Sequence, residues 1–305
     1  MSAEPQHHWI RIELRPARAI HDVLTQHVYP YVQTVLETGM ADSFSFFRGT
    51  AERPGIVLYF KGQPDVLQHM LLPNCLDHFA RPLQRRAVTG RAYFPDAGRY
   101  GGPTGHFLSM LQYRAASEMV LEQLHRHRAY WTPVRALEIA RRLHLSLFYR
   151  IHLPATAAAT FFERLYGHHG HLHGAPAGIG TRYAEQRAQV LEADRHWWTQ
   201  LHHSPPTDAH WRRWDSMQQI IGNSLERALV QGKLRDRPAT ELLRGHRKDN
   251  HDRAQLWSYY ADFVRLTNNR LGLSPTDESY CYYSLARSLR HLEATALPVA
   301  PSIGG

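Results

Sequence analysis

Lysine is nearly missing from this 305-residue chain, which holds only Lys61, Lys233 and Lys248 yet carries a formal charge of +9. Its basicity, with an isoelectric point near 9.7, is therefore arginine's. The arginines are scattered through helical stretches, as in Arg85-Arg86, Arg141-Arg142 and Arg212-Arg213, and form no stripe. That spread argues against tracking a nucleic-acid backbone and fits an acidic peptide partner at least as well. Cysteine is limited to Cys75 and Cys281, without CxxC or metal-ligand spacing, so two free thiols in a reducing cytoplasm are expected. No apolar run reaches the roughly 18 residues a membrane helix needs, and the polar start MSAEPQHHW is no signal peptide. A cytoplasmic protein with no membrane partner and no nucleic-acid partner is the expectation. GxGxxG, Walker, GxSxG and HExxH motifs are all missing, leaving nucleotide cofactors and common hydrolase machinery unsupported.

What is present begins with residues 8–14, HWIRIEL, which alternate as a strand does. A helical stripe follows at Ile20, Val23, Leu24, Val28, Val32, Val35 and Leu36, closed by Gly39 in the C′ position. Ser43–Arg48 and Ile56–Lys61 read as a hairpin, and Asp65–Phe79 as a second helix behind Pro64. This β-α-β-β-α order predicts a small mixed or antiparallel sheet with helices on one face, an α+β layer over about residues 8–95. From Thr104, a candidate N-cap, to about residue 294 the pattern is helical, with breaks at 128–133, 152–155, 167–180, 203–207, 232–238 and 272–276. Residues 1–295 read as a single catalytic domain and 296–305 as a flexible tail.

Several clusters carry possible chemistry. The segment Gly167 to Gly180, GHHGHLHGAPAGIG, reads as a flexible loop holding His168, His169, His171 and His173. No Cys or carboxylate joins these imidazoles and glycines interleave them, so no functional metal is expected. Trp197-Trp198, Trp211 with Trp214, and Tyr282-Tyr283 read first as helix-packing groups. Ser224, after Asn223 in a helical stretch, is either a small packing residue or a hydroxyl that orients an amide. The stretch Tyr259 to Pro275, YYADFVRLTNNRLGLSP, is the densest in polar groups: Asp262, Arg265, Thr267, Asn268, Asn269 and Arg270 interrupt an apolar helical stripe. Adjacent asparagines compete with the helix backbone for hydrogen bonds, so they need either a helix end or a task. The first reading makes Gly272 the C′ residue and Pro275 the stop.

Earlier in the chain Arg99-Tyr100-Gly101-Gly102-Pro103 forms a glycine-rich turn ahead of a long helical run. The RYGG turn, the late NNRLG, the Trp9-Ile10-Arg11-Ile12 strand and the SFSFFRG–PGIVLYF hairpin, in this order, resemble the thiopeptide-type bacteriocin biosynthesis family. That family includes the C-terminal elimination domains of class I lantibiotic dehydratases, and the resemblance covers most of the chain. It implies that α+β fold, a modified precursor peptide with an acidic leader as partner, other pathway enzymes as further partners, and no cofactor.

The resemblance also discriminates between branches. Eliminating relatives carry two arginines on the hairpin strand, where Val57 and Tyr59 stand here, and a late histidine where Arg265 stands. A glutamyl carboxylate needs charge-assisted partners and a general base, and arginine is a poor base. The pyridine synthases of thiopeptide biosynthesis reuse the fold without that elimination, so the resemblance points to them. Tyr259, Tyr260 and Ser224 are the expected catalytic groups. Tyr59, Arg99, Tyr100, Asp262, Arg265, Asn268, Asn269 and Arg270 are the expected substrate-binding groups, with a structural ion pair the competing role for Arg270. A stand-alone glutamate eliminase and a non-catalytic leader-binding scaffold stay open as alternatives.

Overall fold

The alternating segment becomes β1 (His8–Leu14), one of the two inner strands of an antiparallel sheet ordered β2-β3-β1-β4. Its partners are β2 (Ser43–Arg48), β3 (Ile56–Gly62) and β4 (Val88–Tyr93), with Ile12 opposite Leu58 on one side and Gly90 on the other. A computed structural model describes residues 8–50, 52–174, 176–203, 206–235 and 251–295, and the expected tail lies outside them. Because strand side chains alternate, Ile10, Ile12, Leu14, Leu58 and Phe60 share one buried face. Among the described residues β4 was unforeseen in the sequence, since VTGRAY carries a glycine at its centre. That glycine is required: a Cβ at Gly90 would run into the Ile12 and Leu72 side chains. With β4 added, the order becomes β-α-β-β-α-β, a ferredoxin-like layer.

Two helical runs cover the inner face, and both are interrupted the same way. The first consists of α1 (Ile20–Val23), a π turn at Leu24–Val28 and α2 (Tyr29–Glu37). The second consists of α3 (Pro64–Val66), a π turn at Leu67–Leu71 and α4 (Leu72–Leu83). Pro30 and Pro73 each stand two residues past the end of a π turn, where a ring that lacks N–H and crowds the carbonyl four residues back is best accommodated. Val23, Val28, Val32, Leu67, Leu71 and Phe79 seal this layer in full burial.

The opposite face of the sheet meets the helical half, so helices lie on both faces and not on one as expected. That half comprises α5 (Gly102–Arg126), α6 (Pro133–Arg150), α7 (Ala155–His173), α8 (Ile179–His203), α9 (Ala209–Val230), α10 (His251–Leu271) and α11 (Pro275–Thr295). The histidine-rich segment is a correction: α7 runs through His173, and the expected loop shrinks to the stretch before Ile179. Its glycines did not break the helix because Phe161, Phe162, Leu165 and His169 bury one face against α11. His169 is held by Ser279 Oγ at 2.9 Å and Glu278 Oε2 at 3.3 Å. Among the described residues no group of three or more His, Cys, Asp or Glu is placed to hold a metal, and no helix is long and apolar enough to cross a membrane. Pro275 is a second correction, opening α11 at its first position, where a missing N–H costs nothing.

Helix α10 touches β2, α5, α6 and α9 and ties the two halves together. On its α6 side His144 is wholly buried and donates Nε2–H to Asn268 Oδ1 at 2.8 Å, while Asn268 Nδ2 donates to the Tyr282 hydroxyl at 3.2 Å. Burial holds His144 neutral, pushing its pKa down from 6.5 to about 4. The unfolded chain therefore takes up this proton first, and the stability His144 contributes is complete above 6.5 and lost as pH falls toward 4. His144→Gln, which keeps an amide donor for Asn268, is expected to lower stability at neutral pH. It should also remove about 2 kcal/mol of the stability lost between pH 7.5 and pH 5. Urea midpoints across that range test this; parallel pH curves for variant and wild type would exclude His144 as an acid-sensitive group.

Candidate functional site

The RYGG turn is built by conformations that only glycine accepts easily. Gly101 and Gly102 sit at φ +76° and +91°, between a short 3-10 turn at Ala97–Tyr100 and the start of α5. Asp96 opens the turn, its Oδ1 accepting the Gly98 N–H at 2.9 Å. Two further bonds hold the turn from the helical side. The Tyr259 hydroxyl donates to the Tyr100 carbonyl at 2.7 Å, and the Arg235 N–H donates to the Gly101 carbonyl at 2.8 Å. Gly105 lets α5 begin directly against this contact, because a Cβ there would overlap both the Tyr100 carbonyl oxygen and the Tyr259 hydroxyl. Helix α5 thus starts at Gly102, and Thr104 lies within its first turn, not at the N-cap expected. The two segments singled out in the sequence, 99–103 and 259–275, are in direct contact.

The NNRLG motif docks the end of α10 on the sheet. Asn269 pairs with the Arg48 backbone as a strand would, accepting its N–H at 2.9 Å and donating to its carbonyl at 3.0 Å. Arg48 in turn donates Nε–H to the Arg270 carbonyl at 2.8 Å. Gly272 has φ +80° and donates its N–H to the Asn268 carbonyl at 3.0 Å, the C′ role expected of it. Arg270 has no exposed surface and no ion pair among the described residues, so the ion pair considered as its competing role is absent among them. Its Nε donates to Ser117 Oγ at 2.9 Å, and its Nη1 to the Leu266 carbonyl at 2.8 Å. Its guanidinium carbon lies 4.2 Å from the Phe47 ring centre and 5.3 Å from that of Tyr113. Burial lowers its pKa to about 9, which still leaves it charged at neutral pH. Ser117 is used to capacity, accepting from Arg270 and the Phe46 N–H while donating to the Tyr113 carbonyl.

Over Arg270 runs a chain of aromatic rings. Tyr93 lies 4.9 Å from Tyr59, Tyr59 lies 5.9 Å from Phe47, and Phe47 lies 5.5 Å from Tyr113. Tyr113 continues to Tyr100 at 6.2 Å, and Tyr100 to His106 at 5.3 Å. These spacings are those of edge-on and offset aromatic pairs. The result is a shelf with one side on the sheet and the other on the RYGG turn and α5. Arg11, opposite Tyr59 in the register, sits 5.9 Å over its ring. Burial raises the pKa of Tyr100 to about 12 and also raises that of Tyr59, so both keep their protons at neutral pH. Burial, and then the charge of Lys61, lowers that of His106, whose Nε2 is buried without a partner.

The remaining sequence-predicted residues divide. Asp262 lies near enough to Tyr100 for its charge to be felt there, and Arg265, largely exposed, lies 3.5 Å from Asp262. Arg99 is exposed at the rim; its backbone N–H donates to the Asp96 carbonyl at 3.2 Å, and its guanidinium makes no hydrogen bond or ion pair among the described residues. Asn268 belongs to the His144–Tyr282 network, not to the shelf. Tyr259 has its proton committed to the turn. Tyr260 turns the other way, packing on Phe148 at 6.1 Å, and its hydroxyl has no hydrogen-bond partner among the described residues. Its pKa is raised by burial and then by the charge of Glu226, on the same helix as the half-buried and equally unpartnered Ser224. Phe47, Tyr113, His106 and Arg11 were not foreseen. The alternation that exposes Arg11 between Ile10 and Ile12 was the one signal that favoured any of them.

A family model described as lantibiotic biosynthesis dehydratase C-term matches residues 9–289. No curated protein matches the sequence. Among solved structures, TsrL superposes with a TM-score of 0.68 at 18% identity, covering 95% of this chain and 96% of its own. The pyridine synthase TbtD from thiomuracin biosynthesis superposes at 0.69 and 15% identity, covering 95% and 100%. MibB, the tRNA-dependent lantibiotic dehydratase from Microbispora sp. 107891, superposes at 0.64 and 17% identity over 97% of this chain. The present chain spans only 29% of MibB's length. At these identities the likeness shows the fold and nothing finer.

The docking of the α10 end on the sheet has a measurable strength. Asn269→Ala removes both bonds to Arg48 and is expected to cost about 1–3 kcal/mol, whereas Arg265→Ala, at an exposed pair, should change stability by ~0.5 kcal/mol or less. Urea unfolding of the two variants reads the difference; equal costs would mean that Asn269 does not anchor the helix end.

Proposed function

The chain belongs to the lantibiotic biosynthesis dehydratase C-terminal family, and on that premise we propose that it forms the central pyridine of a thiopeptide. In this reading it joins two dehydroalanines of one leader-bearing modified peptide by a formal aza-[4+2] cycloaddition. The observation that carries the proposal is on β3. Val57 and Tyr59 occupy its shelf-side positions, where eliminating relatives carry arginines, so the strand presents an apolar and aromatic surface instead of a carboxylate clamp.

The chemistry asks first for orientation. The imidic-acid tautomer of the amide acylating one dehydroalanine's nitrogen is a 2-aza-diene, and its two ends meet the second alkene. Two C–C bonds close a six-membered ring containing that nitrogen. Loss of water, then of the leader as an amide, gives the aromatic pyridine. Holding both alkenes in register supplies much of the barrier reduction. Planar azole rings in the substrate suit the partly exposed rings of Tyr59, Phe47 and Tyr100, which offer faces and edges for stacking over the buried Tyr113. Proton donors come second, to favour the tautomer and to assist departure of water and amide. Tyr260 and Ser224 suit that task because their hydroxyls are uncommitted among the described residues and the raised pKa of Tyr260 keeps its proton in place. Tyr260 faces Phe148 and not the shelf, so it would act on a part of the substrate seated beyond the shelf. Tyr259 serves by positioning, holding the Tyr100 carbonyl. Asn269 and Arg270 likewise fix the shelf from below, while Asp262, Arg265 and Arg99 form its polar rim.

One observation favours a second reading. Arg11 and Arg91 are paired across β1 and β4 on the same face as Tyr59, and they offer relocated partners for a glutamyl carboxylate. A single assay separates the readings. The protein is incubated with a leader-bearing peptide that contains azoles and two dehydroalanines. Release of the leader as an amide with growth of pyridine absorbance is expected. Glutamate release from a glutamylated peptide would establish elimination instead, and binding without turnover would leave a leader-binding scaffold. Within the synthase reading, Tyr260→Phe is expected to lower kcat by about 10²-fold while leader affinity holds. An unchanged kcat would remove Tyr260 from the chemistry.

A further inference from the structure

A cavity of about 890 Å³ opens among α5, α6, α8 and α9 and shares no lining residue with the aromatic shelf. Arg142 of α6 lines it. Its guanidinium lies between two indoles, 3.8 Å from the Trp197 ring centre and 3.5 Å from that of Trp211. A planar cation stacked on both faces keeps only its edge free for hydrogen bonding.

The neighbouring charges are already matched. Asp194 binds Arg141, Asp208 binds Arg126, Glu138 binds Arg135, and Asp215 binds Arg150 and Ser146. Arg142 makes no hydrogen bond or ion pair among the described residues. Its burial lowers its pKa to about 10, with the charges of Asp215 and Asp208 offsetting part of that effect. It is therefore a charged group at neutral pH with donors directed at no acceptor of its own. The wall also carries the amides of Gln123, Gln186, Gln189 and Gln200, and the Nε2 of Gln123 is buried without a partner. Amides that both donate and accept match a peptide backbone. The volume falls in the range of pockets that enclose a ligand of several hundred daltons, too large for one small anion.

We propose that this cavity binds a peptide segment through a carboxylate side chain seated on Arg142 between Trp197 and Trp211, with the glutamine amides reading the adjacent backbone. The site lies apart from the shelf and holds whether or not the shelf makes pyridines. A bidentate guanidinium–carboxylate pair between aromatic walls selects Glu or Asp over Gln or Asn, because the amide leaves the charge unmatched.

The test uses full-length protein labelled with ¹⁵N at tryptophan. Trp197→Phe and Trp211→Phe assign their two indole N–H signals among the 7 tryptophans. The probe is an acetylated, amidated heptapeptide alternating Leu and Glu, compared with its Leu–Gln counterpart. The Glu peptide is expected to shift the Trp197 and Trp211 signals, and to bind at least ~10-fold more tightly than the Gln peptide. Arg142→Gln should remove that preference. If Arg142→Gln does not fold, Arg142→Lys replaces it: this keeps charge and length without the planar fork, and should weaken binding several-fold at an unchanged Tm. Equal binding of the two peptides, no shift with the Glu peptide, shifts confined to other indoles, or wild-type affinity in the Arg142 variants would overturn the proposal. Sodium acetate matching the Glu peptide in affinity would overturn the peptide assignment by reducing the cavity to a simple anion site.

Discussion

A guanidinium buried without a carboxylate governs the arrangement of this molecule. Removing Arg270 from water is costly, and no opposite charge among the described residues offsets that cost. The compensation is spread over Ser117, the Leu266 carbonyl, and the faces of Phe47 and Tyr113. Those partners are spread over three elements, Ser117 and Tyr113 on α5, Leu266 on α10 and Phe47 on β2, so satisfying the arginine fixes all three at once. Ser117 carries the same constraint outward, since its hydroxyl also takes the backbone N–H of Phe46 on β2. The sheet and the helical half are therefore joined by hydrogen bonds with directional demands as well as by apolar packing, which tolerates sliding.

That directional joint explains how a shelf of aromatic rings can lie half-buried and still be ordered. Tyr59 is fixed by the strand register, Phe47 and Tyr113 by the arginine beneath them, and Tyr100 by a carbonyl bonded to Tyr259. None of these rings depends on a neighbouring ring alone for its position. A surface that must hold two reacting groups in register benefits from such independence, because an error at one ring is not passed to the next.

The sequence disclosed the fold unevenly, and the pattern has physical causes. Strong alternation in HWIRIEL and strong 3.6-residue periodicity from Ile20 to Leu36 both became the elements expected. Elements whose identity rests on tertiary contact were harder to see. Strand β4 hides behind Gly90, whose missing side chain makes sense only once Ile12 and Leu72 are packed over it. The histidine-rich segment looked flexible because its glycines are visible and the burial of Phe161, Leu165 and His169 against α11 is not. The site was legible as two clusters, RYGG and NNRLG, but their division of labour was not. Adjacent tyrosines 259 and 260 read alike in sequence, yet a helix turns successive side chains by about 100°, so one meets the turn and the other faces Phe148. Arg270 is the sharpest case: substrate binding or an ion pair was the expectation, and a buried guanidinium held by hydroxyl, carbonyl and ring faces is what the fold provides.

The cavity walled by Arg142 is closed on one side by α8, a helix that buries only Ile179, Tyr183 and Asp194 along 25 residues. A helix of that length with so few anchors has a low cost of local opening compared with the core around α10. Its first half is tied to α11 by Arg182 with Asp277 and by the Tyr280 hydroxyl donating to Gln186 Oε1, and its second half is held by the enclosed pair of Asp194 with Arg141. To open the chamber, the second half of α8 would have to give up that pair together with the stacking of Trp197 on Arg142, so a ligand that engages Arg142 would also set how far this wall can lift.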